Sequence, residues 1–266
     1  MTSEELANRI RIHAIELTHR THASHVASVL SVADIVAVLY ADIMNVYPND
    51  SLNSNRDRFI LSKGHAGLSV YSALAELGFF EKSELNSYYQ DGSNLSGHIS
   101  HKNISGVEFS TGSLGHGVSV GVGMALAGKL NSTTHRVFVV AGDGECEEGC
   151  VWESALFASH HKLDNFTIIV DNNKFQALGH CDEVLGLGDL GKKWKEFGFF
   201  VAECDGHDHE ALKTALQIKK ENYPICIIAH TTKGKGVSFM ENELLWHYRD
   251  PQGELYEKAL SELGGA

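Results

Sequence analysis

Positive charge is scarce in this chain of 266 residues: 22 lysines and arginines face 34 aspartates and glutamates, a formal net charge of −12. So acidic a chain lacks the basic footprint that nucleic acid or an anionic membrane surface demands, and neither is expected as a partner. Long apolar runs are missing too, since none approaches the roughly 18–20 residues of a spanning helix. The acidic start, Met1-Thr2-Ser3-Glu4-Glu5, is unlike a secretory signal. Cysteine is sparse and odd in number, five in all, which predicts a reducing, cytoplasmic setting rather than a disulfide framework. Repeats, low-complexity tracts and linkers are absent, so one domain over residues 1–266 is expected.

What is present is glycine and histidine. There are 26 glycines, above the roughly 7% of an average protein, and 16 histidines. Twelve of the glycines lie between Gly92 and Gly149. That stretch is not the serine-rich, hydrophobic-poor sequence of a flexible linker, so a backbone-lined site is the better reading.

Periodicity predicts an amphipathic helix from Thr2 to about Arg20, opened by a Thr2/Glu5 capping box, and a buried helix over Ser31–Ala41. A short strand at Arg58–Leu61 feeds a helix running through Leu77, and another helix is expected over Gly115–Leu130. Beyond it, apolar strands at Val137–Ala141, Phe166–Val170, Phe199–Glu203 and Ile225–His230 alternate with helices at Trp152–His161, Trp194–Phe197 and His209–Lys220. Continuous β-branched runs alternating with helices predict an α/β fold, a parallel sheet with helices on both faces.

In such folds a phosphate ligand sits where a strand's C-terminal end turns into a helix. Here Val137–Ala141 runs into Gly142-Asp143-Gly144-Glu145, and the next strand ends in Asp171-Asn172-Asn173-Lys174. Thirty residues separate Asp143 from Asn173, one strand–helix–strand unit, so both side chains should emerge at adjacent strand ends. One carboxylate and one amide are too few oxygens for an all-protein calcium cage. They suit Mg²⁺ or Ca²⁺ completed by phosphate oxygens and water. Cys146 and Cys150, near His180 and Cys181, have no second spaced pair, and a zinc site is rejected.

Gly142-Asp143-Gly144 with Asn172-Asn173 resembles the thiamine diphosphate motif, and the wider chain is similar to the N-terminal part of transketolase in its split, two-subunit form. The blocks that carry the resemblance are Leu61-Ser62-Lys63-Gly64-His65-Ala66, Gly97-His98, Ser110-Thr111-Gly112-Ser113-Leu114-Gly115, and Lys233-Gly234-Lys235-Gly236 leading to Trp246-His247. They span most of the chain in family order. The resemblance implies a PP-type thiamine diphosphate-binding domain. Asp143 and Asn173 would ligate the metal with the carbonyl of Phe175. Gly144 and His65 would meet the diphosphate, and His247 both diphosphate and substrate. Gly112 and Leu114 would present backbone to the aminopyrimidine ring. His25 and His98 would line the substrate channel with His247, and Glu148 would join a carboxylate network linking two active sites. Transfer of a two-carbon ketol unit from a ketose or ketose phosphate to an aldose is the implied reaction. The same resemblance places the cofactor-activating glutamate in a second domain, so a separate C-terminal subunit in a heterotetramer is expected as partner.

Three departures from that family touch the substrate side. Ser24-His25-Val26-Ala27-Ser28 stands where a Gly-His-Pro-Gly loop is usual, Ile99 follows Gly97-His98 in place of proline, and Leu178-Gly179 replaces an Asp-Gly whose carboxylate would face the substrate region. They predict a donor or acceptor other than the usual pentose phosphates. Lys233 and Lys235 read equally well as contacts to substrate phosphate or as a solvated basic turn. His160 and His161 fit a helix end, and His207 and His209 a solvated helix start. Two other functions share parts of the pattern: the thiamine-binding subunit of a 2-oxoacid dehydrogenase or a deoxyxylulose phosphate synthase-like enzyme, and a non-catalytic thiamine diphosphate-binding protein.

Overall fold

The computed structural model describes residues 1–264. In chain order the elements are α1 (Ser3–Thr21), α2 (Val26–Val38), β1 (Arg58–Leu61), α3 (Gly67–Glu76), α4 (His116–Leu130), β2 (Val137–Gly142), α5 (Gly149–His160) and β3 (Phe166–Asn172). They continue through α6 (Cys181–Leu185), α7 (Leu190–Glu196), β4 (Phe200–Asp205), α8 (His209–Leu216), β5 (Ile225–His230) and α9 (Glu254–Glu262). All strand pairings are parallel, in the order β1-β2-β3-β5-β4.

Period-two alternation decides the layers. Phe59, Leu61, Phe138, Val140, Ile169, Ile225 and Ile227 point to one face, where α1, α2, α3 and α8 cover them. Ile60, Val137, Val139, Phe166, Ile168, Val170, Cys226 and Ile228 point to the other, under α4, α5 and α7. Both faces are therefore buried, which is why these strands read as unbroken apolar runs. Burying each such side chain stabilises the fold by about 1.5–3 kcal/mol.

The Thr2/Glu5 capping box opens α1 as expected. The second helix differs from its expectation. It starts five residues earlier, at Val26, all thirteen of its residues are buried, and a π-turn carries it on through Leu39–Ile43. Contrary to the reading that no apolar run reaches spanning length, Val26–Ile43 is long and apolar enough to cross a membrane, but 89% of it is buried inside the fold. It is the central helix of one core. Its early start escapes the sequence because His25, its N-cap, offers no capping side chain and sits in the left-handed region at φ 72. Three backbone bonds hold it there: His25 N–H donates to the His247 carbonyl at 2.9 Å, and the Ser28 and Val29 N–H groups donate to the His25 carbonyl at 3.0 and 3.3 Å.

Candidate active site

The C-terminal ends of β1, β2, β3 and β5 meet at one edge of the sheet, with Gly142 registered on Asp171 and Asn172 on His230. A cleft of about 290 Å³ opens there. Its walls bring together His25, His65, His98, Gly112, Leu114, Asp143, Gly144, Glu148, Asn173, Phe175 and His247, every site residue expected from the sequence. Glu148 stands exposed at the rim. Leu178 does not join the lining: 75% of its surface faces solvent, on a turn closed by the Phe175–His180 bridge.

Asp143 is 4% exposed. Its carboxylate accepts N–H bonds from Gly144 at 2.8 Å and Lys174 at 2.5 Å. Burial, with Asp171 adding to it, pushes its carboxyl up to about 6. No lysine, arginine or histidine pairs with it among the described residues. Across from it, the Asn173 amide donates to Ser31 Oγ at 3.2 Å and to Asp171 Oδ2 at 3.3 Å, while its Oδ1 accepts from Phe175 N–H at 3.0 Å. The amide is thereby oriented with one acceptor site of Oδ1 left over. A buried carboxylate without a counter-charge, beside a pre-aimed amide oxygen, fits a hard divalent cation. Glycine is required at 144, since a Cβ there would come within 2.9 Å of Gln176 Cβ.

Four imidazoles form the other wall. The His25 ring centre lies 4.8 Å from that of His247, 5.2 Å from His65 and 5.7 Å from His98. Burial lowers His25 to about 4, helped by His98, Lys233 and Lys63. It lowers His247 to about 3, helped by Lys233 and His25. These rings are therefore neutral at pH 7. The Lys233 ammonium donates to His247 Nδ1 at 3.0 Å, so the proton of the neutral ring sits on Nε2, a donor for the cleft. Lys233 is 1% exposed, which removes the solvated-turn alternative. Burial and Lys63 lower its ammonium to about 8.

The neutral histidines have a consequence for stability. An unfolded histidine takes up its proton near 6.5, whereas folded His25 does so only near 4. The cofactor-free fold thus loses stability as pH falls from about 6.5 toward 4. Thermal melts across that range should fall more steeply for the wild type than for His25→Asn. Parallel curves would contradict the assignment.

Three buried residues that carry the site, Glu145, Lys63 and Asp171, have no role assigned from the sequence. Glu145 accepts from Ser62 Oγ at 2.5 Å, Gly115 N–H at 2.7 Å and Gly142 N–H at 3.0 Å, tying together the ends of β1 and β2 and the start of α4. Gly115 is required there, because φ is +79 and a Cβ would lie 2.4 Å from Cys150 Sγ. Beneath Asn173, Lys63 is ion-paired with Asp171, which also accepts from Ser31 and Thr231. The Lys-Gly-His block hints at this lysine, but nothing local marks Asp171 as its partner.

The strand ends of a parallel sheet thus gather a buried carboxylate, an oriented amide, glycine backbone and four imidazoles into one cleft, the arrangement of a cofactor-binding enzyme domain. Residues 2–249 match the family model "Transketolase, thiamine diphosphate binding domain". The chain is 43% identical, over 86% of its length and 84% of the relative's, to an apulose-4-phosphate transketolase subunit from Actinobacillus succinogenes. It is 36% identical, over 97% and 94%, to the 6-deoxy-6-sulfo-D-fructose transketolase subunit SqwG of a Clostridium species. The crystal structure of the Campylobacter jejuni transketolase superposes with a TM-score of 0.92 at 33% identity, covering 98% of this chain and 42% of that one. The chain belongs to the transketolase family, as a form of its thiamine diphosphate-binding domain.

Proposed function

We propose that this chain is the cofactor-binding half of a two-chain transketolase, moving a two-carbon ketol unit from a ketose phosphate or related ketose to an aldose. The observation that carries this reading is the convergence of His25, His65, His98 and His247 on the cleft that holds Asp143 and Asn173. Bound thiamine diphosphate would supply a nucleophilic ring carbon and an electron sink for the two-carbon unit.

The chain's own groups do the rest. Asp143, Asn173 and the Phe175 carbonyl would hold Mg²⁺ or Ca²⁺. Gly144 and His65 would receive the diphosphate, and Gly112 and Leu114 the aminopyrimidine ring. His247 would donate its Nε2–H to a substrate oxygen, while His25 and His98, held neutral, would accept protons from substrate hydroxyls. Glu148, exposed at the rim, would make a carboxylate contact with a second subunit.

The relatives from Actinobacillus succinogenes and the Clostridium species are each named as one subunit of a transketolase. This supports a separate partner chain, assembled with residues 1–266 as one unit into a heterotetramer. Those names also point to uncommon sugars, in keeping with the departures at Ser24–Ser28 and Ile99. All five thiols are free, in keeping with a cytoplasmic protein. Co-purification with the partner, followed by ketol transfer over a panel of ketose phosphates, tests the reading. Transfer should need both chains, thiamine diphosphate and Mg²⁺, and should be poor with xylulose 5-phosphate and ribose 5-phosphate. Full turnover by the single chain would refute the two-chain assembly, and CO₂ release from pyruvate would indicate 2-oxoacid chemistry instead.

A further inference from the structure

A second cluster of titratable side chains lies outside the cleft lining, and the proposed reaction does not use it. His207 and His209, expected in solvent from the sequence, both turn inward. Asp208 between them caps α8, accepting from Glu210 and Ala211 N–H at 2.9 and 3.0 Å. The two histidines converge on Asp34, 4% exposed in the middle of α2: His207 Nδ1 at 2.6 Å and His209 Nε2 at 3.1 Å. Arg11 of α1 grips the same carboxylate through Nη1 at 3.0 Å and Nη2 at 2.5 Å. Against burial, the histidines and the guanidinium hold Asp34 far below the usual carboxylate range.

The other side of His207 faces the active site's supporting backbone. Its Nε2 accepts the Thr232 N–H at 2.8 Å. An imidazole nitrogen that accepts carries no proton, so the hydrogen of His207 is on Nδ1 and is donated to Asp34. Thr232 lies just past β5, where the strand ladder has ended. Its neighbours are both committed to the cleft: Thr231 donates its hydroxyl to Asp171, and Lys233 donates to His247 Nδ1. A second tether reinforces the segment, with Arg11 Nε donating to the Lys235 carbonyl at 3.2 Å.

We propose that His207, locked in its Nδ1–H tautomer by Asp34, is a positioning residue for the active site, setting the Thr231–Lys233 backbone and through it the Lys233–His247 contact. The proposal rests on the reading of His247 as a substrate-facing group. Two replacements separate its halves. His207→Gln puts an amide oxygen near the former Nε2 and can still accept from Thr232. His207→Asn can donate to Asp34 but is too short to reach Thr232.

Nitrogen-15 NMR of the cofactor-free chain should show His207 protonated at Nδ1 and bare at Nε2. In His207→Asn, but not in His207→Gln, the Thr232 amide and the His247 ring should shift. With the partner chain, His207→Asn should lower kcat by about tenfold or more, the scale of lost outer contacts around a site, and weaken Mg²⁺–thiamine diphosphate binding only modestly. His207→Gln should stay within about threefold of wild type. A proton on Nε2, or Asn and Gln variants alike in spectrum and turnover, would overturn the proposal. If the wild type itself fails to transfer ketol units, the proposed function is wrong, while the tautomer and the Thr232 and His247 shifts still decide the positioning role. Should His207→Asn fail to fold, the wild-type tautomer and the turnover of His207→Gln decide it.

Discussion

Replacing Asp143 by Asn should cut Mg²⁺-dependent thiamine diphosphate affinity by more than about 100-fold, since losing outer contacts to a metal site already costs 10–100-fold. The carboxylate is held at the end of β2 by the Gly144 and Lys174 N–H groups and has no cationic partner among the described residues. Burial pushes its carboxyl up to about 6, so the charge it carries at pH 7 is unfavourable until a cation arrives. Asparagine keeps the shape and removes the charge, and although its NH2 replaces one of the two oxygens that accept the Gly144 and Lys174 N–H groups, that loss is offset by the removal of a buried charge. The cofactor-free variant should therefore melt close to the wild type in EDTA, while the large rise in melting temperature given to the wild type by Mg²⁺ and cofactor together disappears. Calorimetric titration checks the affinity. Binding within tenfold of wild type would mean that Asp143 is not a ligand of the cation.

The parts of this site legible in the sequence are those created by short stretches of chain. Gly142-Asp143-Gly144 and Asn172-Asn173 stand out because strands buried on both faces read as apolar runs, and the polar residues ending such runs are conspicuous. The strand boundaries follow for the same reason: Arg58–Leu61 and Ile225–His230 coincide with β1 and β5. Ion pairs between distant segments leave no such trace. Arg11 and Asp34 lie 23 residues apart, and Asp34 and His207 173 apart. Asp34 inside an apolar helix reads as a flaw in the pattern until its three partners are seen. His207 and His209 mislead for a local reason, because the capping Asp208 between them makes the segment resemble an ordinary solvated helix start.

The two buried networks share a design with a bearing on function. Each places one carboxylate under the strand exits and satisfies it from several elements: Asp171 from Lys63, Ser31 and Thr231, and Asp34 from Arg11, His207 and His209. The segment from Thr231 to Lys235 is anchored to both, through Thr231 to the first and through Thr232 to the second. Placement of Lys233 and His247 thus depends on polar contacts reaching into α1, α2 and the β4–α8 turn, rather than on the loop's own sequence.

Lys63→Met should destabilise the fold by about 3–5 kcal/mol, the cost of leaving a buried charge without its partner. Lys63 is 2% exposed and Asp171 fully buried, and the lysine is the stronger influence holding Asp171 below the ordinary carboxylate range against burial. Without it, the Ser31 and Thr231 hydroxyls remain as donors but supply no charge. The damage should reach the cofactor as well, because Asp171 Oδ2 also takes one hydrogen of the Asn173 amide and so helps aim its Oδ1 at the cation site. Neutralising both partners separates the pair from its surroundings. Lys63→Met with Asp171→Asn should be less destabilised than Lys63→Met alone, since no buried charge is left over. Denaturant titration of the two single variants and the double in EDTA measures the coupling directly. Additive losses, with the double variant the least stable, would show that Lys63 acts through packing rather than through its charge on Asp171.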